Sequence, residues 1–126
     1  MSASLRMEIW CRDLAESIEF YRDVVGLEVV SQSPEGYTVM KRDRVIISLN
    51  KVENFTEDNP IVPLGTERHG LATEFVLEVS DLDDCYRRAL EADVVQDEMM
   101  MRPWGLRDFR VLDPDGFYIR FTTPPQ

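Results

Sequence analysis

Histidine is nearly missing from this chain: His69 is the one example among 126 residues. The shortage limits the chemistry at once, because imidazole is both the commonest metal ligand and the commonest general base. No Ser-His-Asp or Cys-His constellation forms around one histidine in an apparent loop. No phosphate-cradling glycine loop and no zinc-finger spacing is present either. Cysteine is scarce too, with Cys11 in a strand-like stretch and Cys85 in a helix-like one. They leave two readings, a disulfide or two buried free thiols, and the pattern favours the thiols. Basic residues are in deficit, 14 Lys and Arg against 24 Asp and Glu, for a formal charge of -10. That field repels nucleic-acid phosphates and anionic membranes, so neither is expected as a partner. It favours a cationic ligand only where acidic groups converge; spread over a surface it is a solubility charge. Apolar runs of membrane-spanning length are absent, and no basic segment followed by an apolar one opens the sequence. The expectation is a cytoplasmic protein with one domain over residues 1–126.

What is present is strongly patterned. Leu5 to Cys11 alternates with period two, placing Met7, Ile9 and Cys11 on one face and Arg6, Glu8 and Trp10 on the other. Asp13 follows as a helix N-cap with Glu16 in the capping-box position, and Leu14, Ile18, Tyr21 and Val25 give an apolar stripe ending at Gly26. Leu27–Val30, Tyr37–Met40 and Val45–Leu49 read as strands, separated by Ser33-Pro34-Glu35-Gly36 and Lys41-Arg42-Asp43-Arg44. The composition breaks over about 51–70, where Asn, Pro and Gly cluster; a stretch this long suits a lid or pocket wall. The pattern then returns. Phe75, Leu77 and Val79 face one way and Glu74, Val76 and Glu78 the other. Asp81 caps a helix with the stripe Leu82, Cys85, Tyr86 and Ala89, Val94-Val95 begins a short strand, and a hairpin runs from Arg102 to Phe121 through Asp113-Pro114-Asp115-Gly116.

The two halves align, Asp13 with Asp81, Ile9 with Leu77, Ile47 with Ile119 and Leu49 with Phe121. The repeat predicts an α+β fold of two βαβββ modules, about 4–50 and 71–123, joined by the loop 51–70. They are expected to form a curved mixed sheet around a cleft, with helices on the convex face. The polar strand faces carry Arg6, Glu8, Trp10, Ser48, Glu74, Val76, Glu78 and Arg120, which then line the cleft.

The strand followed by Asp-Leu, the segment Phe20-Tyr21-Arg22-Asp23-Val24-Val25-Gly26-Leu27, and Asp113-Pro114-Asp115-Gly116 before the last strand together resemble the vicinal oxygen chelate superfamily. That group includes glyoxalase I, extradiol dioxygenases, fosfomycin-resistance enzymes and bleomycin-binding proteins. Pro103-Trp104-Gly105 is most similar to the bleomycin-resistance branch, which implies antibiotic resistance by sequestration and a homodimer. The resemblance also implies metal-ligand positions at Arg6, Ser48, Glu74 and Arg120, of which Glu74 alone is a credible ligand. An arginine ~5 Å from a divalent ion costs about 6–7 kcal/mol at an effective dielectric of ~20, so no metal and no other cofactor is expected. Glu8 and Glu78 reopen the question if the register is off by two.

Arg6, Glu74 and Arg120 therefore admit three readings: an ion network that acts as structural glue, arginines with capacity for a carboxylate or phosphate, or acidic groups for a cation. Trp10, Trp104 and Tyr118 offer flat faces for a planar ring, against a dimer contact for Trp10 and a packing anchor for Trp104. Met99-Met100-Met101 reads as core filling or edge packing before an adaptable rim, and His69 as a polar loop residue. The candidate ligand-binding set is Arg6, Glu8, Trp10, Ser48, Glu74, Glu78, Trp104, Tyr118 and Arg120. The expected function is metal-independent sequestration of a small molecule in a dimer cleft. The alternatives are a superfamily lyase, isomerase or dioxygenase with a non-standard metal site, and a regulatory module with a filled cleft.

Overall fold

A computed structural model of the chain describes residues 2–55 and 68–125. Residues 56–67, most of the expected lid, lie outside the described residues. The chain divides into two compact units, Met1–Glu67 and Arg68–Gln126. Each holds one four-stranded mixed sheet and one main helix, so the duplication read from sequence is physical.

In the first unit β1 (Met7–Cys11) leads into α1 (Leu14–Phe20), which widens into a π-helical turn over Tyr21–Val25. β2 (Glu28–Gln32), β3 (Thr38–Arg42) and β4 (Val45–Lys51) follow, in sheet order β1-β4-β3-β2. β1 runs parallel to β4, and the other pairs are antiparallel. Asp13 caps α1 as expected: its Oδ1 accepts from the Glu16 N–H at 3.0 Å. Gly26 ends the helix with φ of 85°, a left-handed conformation that glycine adopts without a Cβ clash. Ile9, Cys11, Met40, Ile47 and Leu49 are buried on the sheet, and Ser17, Phe20, Tyr21, Val24 and Val25 on the helix. Leu14 and Ile18 are only half-buried, because the wide turn shifts the buried stripe toward Val24 and Val25.

The second unit repeats the plan with β5 (Glu74–Glu78), α2 (Leu82–Glu91), β6 (Val95–Met101), β7 (Arg107–Leu112) and β8 (Tyr118–Thr122), in order β5-β8-β7-β6. Its core is Phe75, Leu77, Phe109, Val111, Ile119 and Phe121 beneath Leu82, Cys85 and Ala89. Phe109 and Phe121 stack with centroids 4.8 Å apart. Three expectations change here. Asp81 stands at the N-cap, but its carboxylate makes no cap bond; Cys85 Sγ and Arg88 engage it instead, at 3.5 and 3.7 Å. The strand beginning near Val94 is seven residues long, an edge strand whose Met100 and Met101 are exposed rather than core. His69 is buried, with its N–H donating to the Asp115 carbonyl at 3.0 Å and its ring beside Phe117.

Three hairpin turns share one design, X-Pro-X-Gly-X: Ser33–Tyr37, Arg102–Leu106 and Asp113–Phe117. In each, the first N–H bonds the fifth carbonyl at 2.9–3.0 Å and the glycine N–H bonds the first carbonyl at 3.0 Å. The glycines have φ of 96°, 92° and 92°. Proline sets the first corner and glycine supplies the left-handed residue that returns the chain. The first two turns occupy equivalent places in the repeat, β2 to β3 and β6 to β7.

Cys11 and Cys85 are buried and not joined in a disulfide, and Cys11 Sγ donates to the Asn50 carbonyl at 3.2 Å. Among the described residues no helix is long and apolar enough to cross a membrane.

Candidate functional site

The second sheet has an apolar face against α2 and a polar face opposite it. Strand register fixes what meets on the polar face. Asp108 lies opposite Thr122, Arg110 opposite Arg120, and Leu112 opposite Tyr118; across the parallel ladder Glu74 lies opposite Tyr118 and Glu78 opposite Thr122. Asp97 on β6 lies opposite Arg110, between two irregularities in that ladder.

These side chains form one ion network. Arg110 Nε donates to Glu74 Oε1 at 2.8 Å, and its Nη1 lies 3.4 Å from Asp97 Oδ2 and 3.9 Å from Asp108 Oδ1. Arg120 lies 3.8 Å from Glu74 and 3.9 Å from Asp108. Arg102, from the Pro-Trp-Gly turn, donates to Asp108 Oδ1 at 2.7 Å. Three guanidiniums face three carboxylates, so the network is balanced. Asp108 is its buried member, with a side chain 1% exposed; Glu74, at 31%, reaches water. Two of the network's polar atoms, Asp108 Oδ2 and Arg120 Nε, stay buried without a hydrogen bond among the described residues.

Burial works against the Arg110 charge, but the hydrogen bond and charge of Glu74 and the charge of Asp108 outweigh it, so its pKa is raised. Tyr118 is raised as well, by burial first, then by its hydrogen bond to Asp97 at 2.9 Å and by the Asp97 charge. The Arg110 guanidinium carbon lies 5.9 Å from the centre of the Tyr118 ring, a cation–π distance.

The candidate residues therefore separate by unit. Glu74, Tyr118 and Arg120 come together in the network; Glu78 shares their face at the far end of β5. Trp104 is 60% exposed at the tip of its turn and lines a shallow concavity of about 440 Å³ with Met101, Leu106, Arg107 and Thr123. In the first unit Arg6 is exposed just ahead of β1, and Glu8 pairs laterally with Ser48. The Tyr37 hydroxyl donates to Glu8 at 2.7 Å, and Ser48 is fully buried. Trp10 stacks on Phe55 with centroids 4.0 Å apart, so one flat face of this ring is already covered from within the chain.

Arg110, Asp108, Asp97, Arg102 and Phe55 were not in the candidate set. The signal for Asp108 and Arg110 was available: they alternate with Phe109 and Val111, which places them on the polar face. Among the described residues no group of three or more His, Cys, Asp or Glu side chains is arranged to hold a metal ion. At the ligand positions that the resemblance implies in this unit, Glu74 is engaged by Arg110 and Arg120 itself is a cation, so these residues do not fit a divalent ion.

Two mixed βαβββ modules with a polar sheet face define a glyoxalase-like protein. The chain belongs to the Glyoxalase/Bleomycin resistance protein/Dioxygenase superfamily, whose model matches residues 4–121. No curated protein matches the sequence significantly. Among solved structures it is similar to TioX from Micromonospora sp. ML1, at 18% identity over 97% of this chain and 98% of that one, with a TM-score of 0.77. It is similar also to a lactoylglutathione lyase from Agrobacterium tumefaciens, at 24% identity over 98% and 94%, with a TM-score of 0.72. A glyoxalase/bleomycin resistance protein/dioxygenase from Nocardioides matches at 20% identity over 100% and 89%, with a TM-score of 0.75. These likenesses show the fold.

Proposed function

We propose that this chain binds a small organic molecule without a metal ion, and sequesters it rather than transforms it, as a homodimer. The observation that carries the reading is the 2.8 Å hydrogen bond from Arg110 to Glu74. Glu74 is the one carboxylate at a family ligand position, and a guanidinium already takes its charge. A divalent ion there would have to displace Arg110 while Arg120 stands beside it, and at ~5 Å each such cation costs about 6–7 kcal/mol for an effective dielectric of ~20. Exposed Trp104 supports capture of a planar ring. The edge strand β2, exposed at all five positions and carrying Val29 and Val30, supports burial against a second copy.

The test is elemental analysis of the purified chain, followed by fluorescence titration with planar aromatic compounds of each charge, before and after chelator. Saturable quenching that survives the chelator is expected, at a solution mass twice the 14.7 kDa chain. A stoichiometric divalent ion, or silence from every compound, sinks the reading.

A further inference from the structure

We propose that Arg110 and Arg120 form a seat for one carboxylate group of an external ligand, and that Glu74 is the resident that fills it until the ligand arrives. This names the ligand class for the binding reading above, and rests on that reading for its biological use. The geometry rests on neither.

Glu74 differs from the other two carboxylates in how it is held. Asp108 is buried and also receives Arg102, and Asp97 also receives the Tyr118 hydroxyl. Among the described residues Glu74 pairs with Arg110 and Arg120 alone. It is the first residue of β5 and its side chain is 31% exposed, so it can turn toward water. The two arginines stay behind. Strand register sets them side by side, and the Tyr118 ring and Asp97 keep Arg110 in place.

Charge sets the valence of the guest. With Glu74 withdrawn, the guanidiniums of Arg102, Arg110 and Arg120 face Asp97 and Asp108, an excess of one positive charge. One monoanionic carboxylate restores balance; a dianionic phosphate overfills the seat. The seat also has a bond left to make. Arg120 Nε is buried and donates to nothing, because Glu74 Oε1 stands 3.8 Å away, too far for a hydrogen bond. A carboxylate unconstrained by β5 can sit between both guanidiniums and accept from each, the arrangement in which arginine recognises carboxylates most strongly.

The experiment uses the full chain with Glu74→Ala and Glu74→Gln. Thermal unfolding is compared in acetate, chloride and phosphate at matched ionic strength, and benzoate is titrated calorimetrically. Acetate should raise the melting temperature of Glu74→Ala above its value in chloride, with phosphate weaker than acetate. Benzoate should bind Glu74→Ala about tenfold more tightly than the unchanged chain, roughly the 1.4 kcal/mol of evicting the resident. Acetate no better than chloride for folded Glu74→Ala overturns the proposal, and phosphate equal to acetate overturns the carboxylate assignment. Should the alanine variant not fold, Glu74→Gln carries the same acetate-over-chloride comparison, and no preference there overturns the seat. Metal content plays no part in these readouts, so the seat and the metal-free reading can fail separately.

Discussion

Arg110 and Arg120 face each other directly across the β7–β8 ladder. Like charges in opposed positions destabilise a sheet. The pair persists because Glu74, Asp97 and Asp108 are distributed around it, and Arg110 touches all three.

That arrangement predicts an asymmetry. Arg110→Met keeps the aliphatic stem but leaves two guanidiniums for three carboxylates, with Asp97 held only by the Tyr118 hydroxyl among the described residues, and should lower unfolding free energy by about 2–3 kcal/mol. Arg87→Met removes an exposed helix-surface pair with Asp84 and Glu91 and should produce no measurable change. Urea unfolding of both variants gives the comparison; equal effects would mean the network contributes nothing beyond a surface pair.

Tyr118 predicts a pH dependence. Its phenol pKa is raised in the folded chain, by burial, by the bond to Asp97 and by the Asp97 charge. Between the unfolded value near 10.0 and the higher folded value, the native state holds the proton that the unfolded state has lost. The unfolded state binds fewer protons there, so stability must fall as pH rises. The contribution is fully present below about pH 10 and lost on passing through the folded pKa. Tyr118→Phe should flatten this alkaline limb and remove one late-titrating phenolate from the absorbance titration. A limb that survives unchanged assigns it to another group.

The repeat, the helix starts and the glycine turns were legible in the sequence because each is local. Alternation marks a strand face, Asp13 marks a start, and X-Pro-X-Gly marks a turn within five residues. Glu74, Tyr118 and Arg120 were legible for the same reason. Asp97 was not: the irregularities on either side of it break simple alternation, so its place opposite Arg110 exists only in the folded ladder. Arg102 was hidden by its turn, since nothing local says that this side chain folds back onto Asp108. Trp10 looked open because Phe55, which covers it, sits in a composition break with no period.

The turns give a paired test of backbone strain against packing. Gly105 and Gly116 have the same φ of 92°, but a Cβ at Gly105 meets nothing within 4 Å while one at Gly116 meets Arg68 Cγ at 2.9 Å. Arg68 donates to the Gly116 carbonyl at 3.1 Å, which limits how far it can retreat. Gly105→Ala should cost about 1 kcal/mol, the left-handed penalty alone. Gly116→Ala should cost more, by about 1 kcal/mol of overpacking. Chemical denaturation decides it, and equal costs would show that Arg68 yields freely.

The two tryptophans should report separately. Trp104 is 60% exposed, and Trp10 is half-buried and stacked on Phe55. Trp10→Phe leaves Trp104, whose emission should be red and strongly quenched by acrylamide. Trp104→Phe leaves Trp10, whose emission should be bluer and better protected. In that second background Phe55→Ala removes the stacked ring, so Trp10 should shift red and gain acrylamide access, at a stability cost of about 1–2 kcal/mol for the lost aromatic pair and buried area. Unchanged emission in Phe55→Ala would mean that Trp10 is covered by something else, and that Phe55 is a bystander on the polar side of the first sheet.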